Sequence, residues 1–129
     1  MRNAKTCVSS ANLIVNSIKK NDPEWMSGYI GNYDALRMLS EALLLFDRVE
    51  VSNQVCLFAF LCSSHDELNL SWKFLEEVRM KRNGIQDYGK TITYEDWNNI
   101  EAQMRMNIST LQVEIQKRLE EKNNTPDEA

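Results

Sequence analysis

Between Ser71 and Lys90 the chain carries Lys73, Arg79, Lys81, Arg82 and Lys90 against Glu76, Glu77 and Asp87. Five minus three leaves two positive charges there, inside a chain whose formal total is -4. Within that stretch the basic residues gathered at a helix end, Arg79 and Arg82 among them, could form an anion site. A guanidinium fork matches the oxygens of phosphate or carboxylate. A plainer account competes with this one. Basic residues complement the C-terminus of a helix, and Asn83-Gly84 has the composition of a left-handed helix stop.

Other reactive side chains converge on less. His65 is the single histidine, and Cys7, Cys56 and Cys62 are an odd number of thiols in apolar stretches. The Cys56–Cys62 spacing is too wide for a zinc knuckle, so the cysteines read as small buried hydrophobes in a reducing compartment. No metal and no cofactor are expected. Glu24, Asp34 and Glu41 fall on different turns, and Glu76-Glu77 reads as a solvated helix face. Trp25, Tyr29 and Tyr33 repeat at a spacing of four, the pattern of a helix core more often than of a pocket. The sequence has neither a glycine-rich phosphate loop nor a Ser-His-Asp set.

The elements that must position these groups read as helices. With 129 residues, 43% hydrophobic and 26% charged, the chain fits one globular domain, and 4 glycines and 2 prolines are few for a strand architecture. Five segments follow. Ala4–Lys20 places Cys7, Ala11, Ile14 and Ile18 on one face, and Asp22-Pro23-Glu24 restarts the chain. Gly28 and Gly31 predict a break before Asn32, and Tyr33–Phe46, apolar on several faces, reads as a central helix. Val51–Cys62 is a shorter apolar segment, with helix favoured over strand. Asp66–Arg82 is expected to bury Leu68, Trp72, Leu75 and Val78 or Arg79, with the Arg79–Lys90 loop after it. Thr93 and Asp96 then make a capping pair, Ile92 and Trp97 a hydrophobic staple, and Trp97, Ile100, Met104, Ile108, Leu111, Ile115 and Leu119 one long stripe. Residues 1–120 form the predicted domain and 121–129 a disordered acidic tail. The N-terminus has no signal-peptide pattern, and the longest apolar run, Val55–Cys62, is far below the roughly 20 residues of a membrane span. A cytoplasmic protein without membrane contact is expected.

Arg79-Met80-Lys81-Arg82-Asn83, the following Asp87-Tyr88-Gly89 and the capped helix from Thr93 resemble the signature end of a HEPN domain. That is a nucleotide-binding helical family of higher eukaryotes and prokaryotes. The stretch from Tyr33 through Ala42-Leu43-Leu44-Leu45 is similar to its central helix, and the likeness spans about Ala11 to Leu119. The resemblance implies an all-α, antiparallel bundle of four to five helices that forms a homodimer, with two polar loops facing each other across a cleft. Active members are metal-independent ribonucleases or toxins with an Arg-x(4–6)-His motif, often paired with a nucleotidyltransferase-type antitoxin. Here the positions counted from Arg82 are Asp87, Tyr88 and Gly89, and those counted from Arg79 are Gly84, Ile85 and Gln86. An ordinary Asp titrates at about 3.9 and a Tyr at about 10, so neither replaces a near-neutral acid–base group. The implied function is a dimeric domain that binds a nucleotide, RNA or a partner protein through the Arg79–Tyr88 loop, with Arg79, Arg82, Asn83, Asp87 and Tyr88 as the ligand-binding residues and without efficient catalysis. The alternatives are a metal-independent ribonuclease toxin of a toxin–antitoxin pair and a purely structural helical dimerisation module.

Overall fold

The computed structural model describes residues 8, 9, 11, 25–51, 53–89 and 92–124, with backbone only at 86–88 and 123–124. Val8, Ser9 and Ala11 are helical, in keeping with the expected first helix. The rest of Ala4–Lys20 and the Asp22-Pro23-Glu24 restart lie outside the described residues. Every element among the described residues is a helix: α1 (Trp25–Phe46), α2 (Gln54–Ser64), a 3-10 turn (Asp66–Leu68), α3 (Trp72–Tyr88) and α4 (Tyr94–Asn124).

The expected break before Asn32 does not occur, and α1 is continuous for 22 residues. Each glycine costs a helix interior about 1 kcal/mol. Along α1, burial of Trp25, Tyr29, Tyr33, Leu36, Leu39 and Leu43 offsets that, at roughly 1.5–3 kcal/mol for a fully buried large side chain. Gly28 is itself buried, and its carbonyl accepts a hydrogen bond from Asn32 Nδ2 at 2.9 Å. A Cβ added at Gly31 would lie 3.4 Å from the Cβ of Ala11, so the first segment packs on α1 at this point.

Helix α2 confirms the helical reading of the Val51–Cys62 run, shifted toward the C-terminus. Asn53 caps it, its side chain accepting from Val55 N at 2.9 Å and Cys56 N at 3.3 Å. One end is tied to α1 where the Tyr33 hydroxyl donates to the Gln54 side chain, the other where His65 meets Asp47. Both ends of α2 therefore follow the direction of α1, and the segment between them runs back along α1.

The helix expected from Asp66 starts at Trp72 instead. Asn69 adopts a left-handed conformation (φ 54°) after the 3-10 turn, and Ser71 opens a new helix by accepting from Phe74 N at 3.2 Å. The register changes accordingly. Phe74, Leu75 and Val78 are buried, whereas Trp72, expected inside, stands 39% exposed on the first turn.

Thr93 and Asp96 form the expected reciprocal cap on α4: Thr93 N donates to Asp96 Oδ2 at 3.0 Å and Asp96 N to Thr93 Oγ1 at 3.2 Å. Ile92 and Trp97 are both buried beneath it. The stripe then faces the core as expected, with Met104, Ile108, Leu111 and Ile115 buried and Ile100 and Leu119 half-buried. The helix continues through Asn124, four residues beyond the boundary read from the sequence, and 125–129 lie outside the described residues.

Helix α4 packs most extensively on α1, and the two run in the same direction. Trp25 stacks on Trp97 with ring centroids 6.5 Å apart, Leu39 and Ile115 line one groove, and Asp47 meets Arg118 at the far end. The antiparallel expectation fails for this pair because α2 and α3 intervene; only a short direct connection forces neighbouring helices to reverse. No described helix is long and apolar enough to cross a membrane.

Candidate functional site

The segment from Arg79 to Tyr88, expected as a loop, is the second half of α3. Asn83-Gly84 does not end the helix. Gly89 does, in a left-handed conformation (φ 63°) with its N–H donating to the carbonyl of Gly84. Two positions could have stopped this helix, and packing decides between them. Gly84 and Ile85 are both buried, so the core face of α3 extends past the first possible stop. Burying Ile85 stabilises by roughly 1.5–3 kcal/mol, more than the roughly 1 kcal/mol that Gly84 costs the helix.

This continuous helix sets the direction of the arginines. The Tyr29 hydroxyl donates to the carbonyl of Val78 at 3.0 Å and fixes α3 against α1. Arg79 follows immediately, half-buried, and donates from Nε and Nη2 to Glu76 Oε2 at 2.9 Å and Oε1 at 2.7 Å. This forked pair raises the Arg79 pKa and holds the Glu76 carboxyl below its ordinary value. Arg82 and Asn83 lie one turn further and are half-buried. Lys81 reaches Asp96 at 3.1 Å, joining α3 to the cap of α4.

The charges of Arg79 and Arg82, and that of Arg37 on α1, are all felt at Tyr33. Burial pushes the Tyr33 phenol up to about 12, with the three guanidinium groups opposing that rise. The tyrosine within the electrostatic reach of the arginines is Tyr33, which the sequence placed among core aromatics. The side chains of Asp87 and Tyr88 are outside the described residues. Arg37 in turn pairs with Glu41 at 2.8 Å, so carboxylates already flank two of the three cations. Such a concentration of positive charge can attract an anion, while the Tyr33 hydroxyl itself donates to Gln54. Tyr33 keeps its proton through neutral pH and is a hydrogen-bonding group there, not a base.

His65 has no part in that cluster. Its ring is buried, with Nε2 2.6 Å from Asp47 Oδ2 and Nδ1 3.2 Å from Glu67 Oε1. Arg118 extends the chain of contacts, donating from Nη1 to Asp47 Oδ1 at 3.2 Å and from Nε to Glu114 Oε1 at 3.1 Å. Burial works to raise the Asp47 carboxyl, but hydrogen bonds from His65 and Arg118 outweigh it and leave the group below its ordinary value. These side chains clasp the ends of α1, α2 and α4 together, and the sequence pointed to none of them as a group. No metal-binding group of His, Cys, Asp or Glu occurs among the described residues. Cys56, expected inside, is exposed on the outer side of α2, while Cys62 is half-buried with its thiol pKa raised by burial. No protein-family model, no curated protein and no solved structure matches the chain.

Proposed function

We propose that the chain is a homodimeric HEPN-like domain that binds a phosphate-bearing ligand, a nucleotide or RNA, through the Arg79–Tyr88 half of α3, without efficient catalysis. The observation that carries this reading is the combined positive charge of Arg79, Arg37 and Arg82 felt at the buried Tyr33. Guanidinium groups recognise phosphate with fixed geometry, and a local cluster attracts an anion even on a protein of net negative charge. Against catalysis stands the chemistry of the neighbours, since the single imidazole of the chain is engaged by Asp47 and Glu67. A partner protein would be recognised at the same place through its own carboxylates or phosphates. Cytoplasmic residence and a nucleotidyltransferase-type antitoxin belong to this proposal as well.

The test is retention of a mononucleotide across a salt series. Binding should weaken as salt rises and fall about 10–100-fold in Arg82→Ala, the worth of one or two charge-assisted hydrogen bonds. A thermal melt of the same variant checks that the fold survives. Equal retention by the folded variant overturns the site. Metal-independent cleavage of labelled RNA, lost in Arg82→Ala, would replace the reading with that of a ribonuclease toxin.

A further inference from the structure

Of the three tryptophans of the chain, Trp25 and Trp97 are buried, whereas Trp72 stands 39% exposed. Its neighbours fix it there. Asn69 in its left-handed turn and the Ser71 cap set the first turn of α3, and the helix then turns Phe74, Leu75 and Val78 inward. Trp72 falls beside that face instead of within it. One exposed apolar side chain is ordinary by itself, and its alignment is what matters. At 3.6 residues per turn, positions 72, 76, 79 and 83 share one side of α3. They are Trp72, Glu76, Arg79 and Asn83, all exposed or half-buried. The stripe therefore runs from an aromatic ring to a guanidinium over seven residues, about 10 Å at 1.5 Å each. Glu76 lies between them, but both its oxygens are engaged by Nε and Nη2 of Arg79. That pair uses two of the five guanidinium N–H groups and leaves three to meet a phosphate.

We propose that Trp72 is the base-stacking end of the anion site on α3. The site then takes a single-stranded stretch of RNA, with one unpaired base on the Trp72 ring and a phosphate further along the strand at Arg79 and Arg82. Each base has a π face that an aromatic side chain can cover, and indole presents a wide ring to it. Nucleotides in a stacked strand rise about 3.4 Å each, so about three of them span the stripe from ring to guanidinium. A duplex keeps its base faces inside, which withholds them from the ring. A single mononucleotide reaches the arginine end alone. This assignment rests on the proposed function and names the form of RNA that the site would hold.

The test titrates the full chain with an oligouridylate of about ten nucleotides, within the span of single-strand sites, and follows both oligonucleotide anisotropy and tryptophan emission. Emission of the wild type should change on binding, because Trp72 is the tryptophan that a ligand can reach. Trp72→Leu, shown to be folded by circular dichroism, should lose that change and bind about 5–150-fold more weakly, the worth of one stacked base. Trp72→Phe keeps a ring and should recover most of the affinity. Equal affinity in Trp72→Leu and the wild type overturns the proposal, as does a Trp72→Phe no better than Trp72→Leu. Arg82→Ala in the same titration reports on the proposed function. Affinity lost there but kept in Trp72→Leu retires the stacking end alone. Affinity lost in Trp72→Leu but kept in Arg82→Ala retires the arginine site, and the stacking assignment stands. A wild type that binds no oligouridylate overturns both.

Discussion

At the start of α4, Thr93 and Asp96 exchange hydrogen bonds across three residues of chain, with both groups open to water. At the end of α1, Asp47 is held by His65 and Arg118, which lie 18 and 71 residues away, and the imidazole is buried. Both places fix helix ends with a carboxylate. The first has its strength beneath the polar layer, in Ile92 and in Trp97, which stacks on Trp25. In the second the polar groups are themselves the fastening, with the buried ring of His65 in contact with both Asp47 and Glu67. Water competes for the cap hydrogen bonds and much less for those of the buried ring, so similar chemistry carries different weight.

Three substitutions test that contrast. Trp97→Ala should have the largest effect, a loss of about 3–5 kcal/mol by urea unfolding, because it removes a fully buried aromatic. A variant as stable as the wild type would mean that the apolar layer under the cap is not what holds this corner.

His65→Ala comes next, at about 2–3 kcal/mol, because it empties a buried site and removes a hydrogen bond to Asp47, which itself keeps 30% exposure. Its pH dependence identifies the source. The folded Asp47 carboxyl sits below its ordinary value of 3.8, so its contribution is complete above that value. It is lost as pH falls through the depressed folded value. The difference between wild type and variant should therefore narrow in acid, and a difference constant from pH 7 to the end of acid unfolding would assign the effect to packing alone.

Thr93→Ala should be the smallest, about 1 kcal/mol, as for other N-cap replacements. A loss equal to that of His65→Ala would erase the distinction between the two corners.

The α3–α4 corner was legible in the sequence because its partners lie within six residues, from Ile92 to Trp97. The other corner was not, because nothing in the spacing of Asp47, His65, Glu67 and Arg118 relates them before the helices are packed. The same division runs through the candidate site. Charge marked Arg79 and Arg82, but Tyr33 lies far earlier in the chain and shares the spacing of Trp25 and Tyr29, which are core. The end of α3 shows the limit of local signals. Asn83-Gly84 and Tyr88-Gly89 both permit a stop, and burial of Ile85 against the rest of the bundle chose the later one. Gly28 and Gly31 misled for the same reason, since their cost to the helix is local and the burial that offsets it is not.

The parallel pairing of α1 with α4 also has a consequence in time. The contact of Asp47 with Arg118 closes 71 residues of chain, whereas Lys81 and Asp96 meet across the short turn between α3 and α4. Closing the longer loop adds little to the equilibrium cost, about 0.6 kcal/mol for each doubling of length. Rates respond more strongly, because folding slows as contacts draw on residues further apart in the chain. The most extensive interface among the described helices therefore assembles across separations of about 70 residues, and the speed of folding is set by the order of the helices as well as by their stability.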